Sequence, residues 1–164
     1  MSQPPELIMF EGEWPPYEER IYEAFLDSFV RAGIRFQGWP VKAQFRPETR
    51  GKGFSFWHVI SEAPDSGNRN EDDRIPDPRR CERIRWIRWA IEQADAGTDG
   101  FSWWENQRKG ETRVVIWVEV FDFAVVLAKR RDFYVLKTAY AGLRSHRIET
   151  FRKEREQFWR AIKG

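Results

Sequence analysis

The sequence has little of what builds covalent or metal-bound frameworks. One cysteine, Cys81, leaves nothing for an internal disulfide. With only two histidines, His58 and His146, beside it, a structural zinc site lacks its usual ligands, and no metal or cofactor is expected. No apolar run approaches the roughly 18 residues that suggest a membrane span. The opening stretch MSQPPELIMFEGEW has neither a basic start nor a long apolar segment, so no signal peptide is expected and the default location is cytoplasmic. Net charge is also scarce: 28 Lys and Arg against 26 Asp and Glu leave +2. Attraction to a polyanion must therefore come from local patches rather than from a whole-molecule field. Repeats and low-complexity segments are absent.

Aromatics are abundant, at 16% of 164 residues with nine tryptophans, beside a mean hydropathy of −0.71. Disordered chains are poor in aromatics, so this composition implies a packed core, most simply one globular domain over 1–164. Pro15 and Pro16 precede a stretch with Ile21, Phe25 and Phe29 at helical spacing, and Gly33 suits its exit, which predicts a helix from about 16 to 32. An extended IRFQGWPVKAQF and a turn-rich RPETRGKG follow. FSFWHVIS reads as a strand, with Phe54, Phe56, His58 and Ile60 facing one way. Residues 62–77 form the clearest loop. Asp77 then suits an N-cap and Pro78 a first helical position, for a helix with Cys81, Ile84, Ile87, Ile91 and Ala94 as its core stripe, ended by Gly97. From 101 to 138 the alternation of Val114, Ile116, Val118 and Val120 with their neighbours gives a β-meander. Its hairpins fall around Lys109-Gly110 and 129–132. A last helix, about 143–162, would turn Ile148, Phe151, Phe158 and Ile162 inward. The expected class is α+β, with an N-terminal helix and an arginine-rich second helix packed on an antiparallel sheet of about four strands, and a C-terminal helix.

Several residues could carry chemistry. Histidine is the side chain best suited to proton transfer near neutral pH, so His58 is a candidate general acid or base, or else a hydrogen-bonded core histidine. On a continuous strand His58 and Glu62 would share a face about 13 Å apart, and a turn after Ser61 would bring them closer. His146, in SHRIETF, reads as a surface or capping residue. Arg79, Arg80 and Arg83 crowd the start of the second helix, where the dipole already presents positive charge. They suit a phosphate site at a helix N-terminus, or are balanced by Glu71, Asp72, Asp73 and Asp77. Lys137 shares parity with Phe133 and Val135, so its ammonium lies along a mostly buried face unless it snorkels; Thr138 and Tyr140 add hydroxyl donors. Together they could stabilise a phosphorane oxyanion. Trp86, Trp89, Trp103 and Trp104 are either core or base-stacking platforms.

At FWHVISE, DPRRCERIRWIRWAIE, WWENQRKGET and FAVVLAKRRDFYVLKTAY the chain resembles a prophage-encoded family of phage-related proteins. That family is itself similar to the barnase–EndoU–colicin–RelE (BECR) superfamily of metal-independent nucleases. The resemblance runs from the helix at Tyr17 to the final helix. It implies a helical N-terminal part on a four-stranded antiparallel sheet. It also implies RNA cleavage by 2′-hydroxyl attack, leaving a 2′,3′-cyclic phosphate, in a toxin or prophage accessory protein. His58 would then be general acid or base, Glu62 its orienting or second proton-transfer group, and Arg80 or Arg83 a phosphate ligand. Lys137 would stabilise the transition state, with Thr138 and Tyr140 orienting substrate. A strand histidine partner is missing, so a two-histidine mechanism is not expected. A nuclease toxin generally requires a neutralising protein partner. The alternatives are a nucleic-acid-binding module without catalysis and a phage protein-interaction module.

Overall fold

The computed structural model describes residues 2–163. Helix α1 (Trp14–Phe25) starts on its two prolines and continues as a π-helical turn over Leu26–Val30, burying Tyr17, Ile21, Phe25 and Phe29. This matches the expected helix closely. Strands β1 (Arg35–Phe36) and β2 (Trp39–Lys42) form a short hairpin, closed by Gln37 and Gly38 at positive φ.

The segment expected as a strand around His58 is instead helix α2 (Phe54–Ile60). Ser55, Phe56, Trp57, Val59 and Ile60 are all buried, and only Phe54 and His58 are half-exposed. A helix apolar almost all round shows no alternation in its sequence, and the aromatic, β-branched run imitates a strand. The exposed pair, four residues apart, carries the helical signature: the Phe54 and His58 rings stack at 3.9 Å. Glycine 53, in extended conformation, begins the helix.

Strands β3 (Ser61–Glu62) and β4 (Ile75–Pro76) pair with each other and bracket the loop read from the sequence. The Asp77 carboxylate then caps the next helix, accepting from the Arg79 and Arg80 amides at 2.9 and 3.3 Å. The single helix expected there is broken. Helix α3 (Pro78–Glu82) ends at Arg83, which leaves helical geometry, and α4 (Trp86–Asp95) resumes until Gly97 at φ +73°. The anticipated stripe of Cys81, Ile84, Ile87, Ile91 and Ala94 is buried. Burial, together with Asp77 and Glu82, pushes the Cys81 thiol up to about 12. The N-terminal segment crosses α4: the Trp89 indole donates to Ser2 Oγ and the Trp86 indole to the Pro5 carbonyl, each at 2.9 Å.

Strands β5 (Phe101–Arg108), β6 (Glu111–Val118), β7 (Phe123–Lys129) and β8 (Tyr134–Ala141) form the expected antiparallel meander. Lys109 and Gly110, both at positive φ, make the two-residue turn that such a hairpin favours. The sheet is larger than expected, however. It has six strands in the order β1-β2-β8-β7-β6-β5, and β2 joins β8 in parallel. Helix α5 (Ser145–Lys163) covers part of the opposite face, where Phe151 packs with Trp104, Val115, Trp117 and Val126. Ile162, expected inward, is 59% exposed. Among the described residues no helix is long and apolar enough to cross a membrane.

Strand β2 pairs with only Tyr134 and Val135 of β8, so the rest of that edge needs another cover. Helix α2 supplies it. The Ser55 hydroxyl donates to the Leu136 carbonyl at 3.0 Å and accepts from the Gln44 amide at 2.7 Å, while Thr138 Oγ1 donates to the His58 carbonyl at 3.0 Å. A capped edge cannot pair with another chain. Ser55→Ala leaves one buried and one half-buried backbone group unpaired and is expected to destabilise the fold by about 1–3 kcal/mol. Urea unfolding should show this as a lower midpoint at unchanged slope.

Candidate functional site

The register between β7 and β8 slips once. Leu127 faces Leu136 and Val126 faces Thr138, which leaves Lys137 as the extra residue of a β-bulge. Leu136 and Ala139, three residues apart, both point into the main core. Lys137 and Thr138 between them are therefore both turned away from it. Thr138 lies with Tyr140, Val126 and Val115 beneath α5, and Lys137 faces the charges of Glu111, Arg113 and Arg130. Bulges re-aim side chains in this way beside functional sites. The result is a cleft of about 170 Å³ between sheet and α5, lined by Asn106, Arg108, Arg113, Thr138, Tyr140 and Arg147 among others.

Lys137 is half-buried. Burial lowers its pKa, Glu111 opposes the shift, and Arg113, Arg130 and Lys109 add to it. Its ammonium is thus a better proton donor than an exposed lysine and sits in a positive field. His58, at the α2–β8 junction, is also perturbed. Burial and then Arg74 lower its pKa, the bond and charge of Glu71 resist, and Lys137 lowers it further. The ring is therefore neutral at pH 7. His58 Nε2 lies 2.8 Å from Glu71 Oε1. An ionised carboxylate only accepts, so Nε2 carries the proton and Nδ1 keeps its lone pair.

Glu62 pairs with Arg80, whose guanidinium also donates to the Ser61 carbonyl at 3.1 Å. Arg80 is nearly wholly buried and lies over the Tyr140 ring at 5.0 Å, with Arg147 on that ring too, at 4.5 Å. Arg80 therefore holds Tyr140, and Glu62 neutralises Arg80. Arg79 is exposed beside Gly142, where a Cβ would fall 1.9 Å from its Nη1. Arg83 turns away, donating to the Arg79 carbonyl and Glu82 and lying over Trp86. The structure thus gathers His58, Lys137, Thr138, Tyr140, Arg80 and Glu62 around one strand and leaves Arg83 outside. Trp86, Trp89 and Trp104 are buried, and Trp103 packs between Phe36 and Trp159, so these rings are core rather than stacking platforms.

Sequence reasoning gave Glu71 no role beside His58, and Arg74, Arg113 and Arg147 no role at all. Only Arg113 carried a usable signal, a charge on the strand face that Val115 and Trp117 make apolar. Among the described residues no group of three His, Cys, Asp or Glu is arranged to hold a metal ion. No protein-family model, curated protein or solved structure matches the chain.

Glu71→Gln removes the anion that favours the imidazolium, so the His58 pKa should fall further. Proton NMR titration reads this directly. Unfolded His58 titrates near its ordinary 6.5, while the folded ring resists the proton. Stability is therefore lost as pH falls below that value, and His58→Gln should flatten this part of the profile.

Proposed function

We propose that the protein is a metal-independent endoribonuclease acting on single-stranded RNA at the α2–β8 junction. The observation that carries the reading is the bulge, which turns Lys137 and Thr138 away from the core beside a neutral, carboxylate-oriented histidine. The resemblance of FWHVISE and FYVLKTAY to the BECR superfamily directs the reading to RNA.

In this mechanism His58 Nδ1 takes the proton of a ribose 2′-hydroxyl, and the oxygen attacks the adjacent phosphorus. Glu71, bonded to Nε2, stabilises the imidazolium that forms, as a carboxylate does for a general-base histidine. Lys137 and Arg113 meet the charge that gathers on the non-bridging oxygens. The Lys137 ammonium, acidified by burial, gives a proton to the departing 5′-oxygen, and a 2′,3′-cyclic phosphate remains. Tyr140, whose hydroxyl donates to no group among the described residues, is free to bind a phosphate oxygen. Thr138 has a positioning role, because its hydroxyl already donates to the His58 carbonyl.

A non-catalytic reading is favoured by one observation: Arg108, Arg144 and Arg147 line this region without an ion pair among the described residues. Incubation with mixed RNA in EDTA separates the two. The nuclease reading expects cyclic-phosphate ends from wild type and none from His58→Ala. Lys137→Ala, which removes one donor to the developing charge, should cost about 10²–10³-fold in rate. Intact RNA with salt-sensitive binding would leave only the binding module.

A further inference from the structure

Beneath α5, one wall of the cleft is organised by a carboxylate. Glu154 Oε1 accepts from the Trp104 indole at 3.0 Å, and its two oxygens lie 3.2 and 3.3 Å from Asn106 Nδ2. An ionised carboxylate only accepts, so the Asn106 amide must turn its NH2 toward Glu154 and its carbonyl away. That carbonyl oxygen, Oδ1, is buried and accepts from no group among the described residues. Buried polar atoms are nearly always paired, because an unmet acceptor costs stability. Asn106 lines the cleft together with Thr138 and Tyr140. Thr138 joins this wall to the proposed cleavage position, since its hydroxyl donates to the His58 carbonyl. Arg108, two residues further along the strand, is exposed and forms no ion pair among the described residues. It can swing aside to open the way to Oδ1.

The chemistry of this oxygen selects its occupant. Oδ1 needs a donor, and a phosphodiester offers acceptors only. The Glu154 carboxylate beside it also repels negative charge. A nucleobase meets both conditions, because its pairing edge presents an N–H and its ring is uncharged. The cleft, at about 170 Å³, has room for one such ring. We infer that the cleft beneath α5 is a nucleobase pocket, in which Asn106 Oδ1 accepts from a base of single-stranded RNA next to the proposed cleavage position. The inference rests on the RNA reading above and deepens it by giving the site a base preference. Asn106 is the specificity-determining residue. Glu154 is a positioning residue that fixes which end of the amide is offered.

The test uses short single strands with every 2′-hydroxyl methylated, so that they bind without being cut. Fluorescence anisotropy compares the four homopolymers with an abasic strand of the same length and charge. Wild type should hold its preferred homopolymer about tenfold more tightly than the abasic strand. Asn106→Leu, shown to be folded by its urea midpoint, should erase the differences among the homopolymers while leaving the salt dependence of binding unchanged. In Glu154→Gln, Trp104 keeps Oε1 and the new NH2 faces Asn106, so the amide should turn over and the preferred homopolymer should change. Equal affinity of wild type for all five strands overturns the pocket, and so does a preference unchanged in either folded variant. Cleavage of unmethylated RNA by wild type in the same preparation would then show that the nuclease stands without it. A preference lost in Asn106→Leu, with no cleavage by wild type, keeps the pocket and sinks the nuclease.

Discussion

Strand β8 must do three things with one backbone: close the core on one face, build a polar cleft on the other, and hide an edge that β2 covers for only two residues. The bulge at Lys137 resolves the first two, because two consecutive side chains leave the core side without breaking the strand. Helix α2 resolves the third. Seven residues are too few for a helix to stand by itself, so α2 exists through burial and through the bonds of Ser55 and Thr138 to and from β8. His58 is therefore placed by the same contacts that seal the sheet. Site and edge cap are one piece of structure.

The parts of the fold that were legible in the sequence have local, periodic signals. The meander showed through alternation and the Lys109-Gly110 turn, α1 through its prolines and spacing, and α3 through Asp77 and Pro78. What was hidden depends on distant partners. The α2 segment is buried nearly all round, so its period vanishes. The parallel junction of β2 with β8 involves two residue pairs and leaves no pattern. The break between α3 and α4 comes without glycine or proline. For the site, parity put the Lys137 ammonium along a mostly buried face beside the core, but the bulge turns it and Thr138 away from the core. Glu71 reaches His58 across a loop 13 positions away, a pairing that no spacing rule reveals.

The charge of the chain is close to balanced overall and unbalanced in place. Of the acids in the 62–77 loop, Glu62 and Asp77 neutralise Arg80 of α3, while Glu71 is committed to His58 and Asp72 to Arg50. The unpaired positive charge sits instead on Arg108, Arg144 and Arg147 around the ends of the cleft, where no motif drew attention. Arg80, the most conspicuous cation from sequence alone, serves as a buried brace between Glu62 and Tyr140.

The one thiol of the chain has a practical use. Cys81 is fully enclosed on α3, with its ionisation suppressed by that enclosure. A thiol reagent therefore labels it only in molecules whose α3 has lifted from the body of the protein. The labelling rate becomes a stopwatch for those excursions, built into the native chain and needing no engineered probe. Because the Arg80 brace is the residue immediately before the thiol, the same stopwatch times the moments when the floor beneath Tyr140 comes loose.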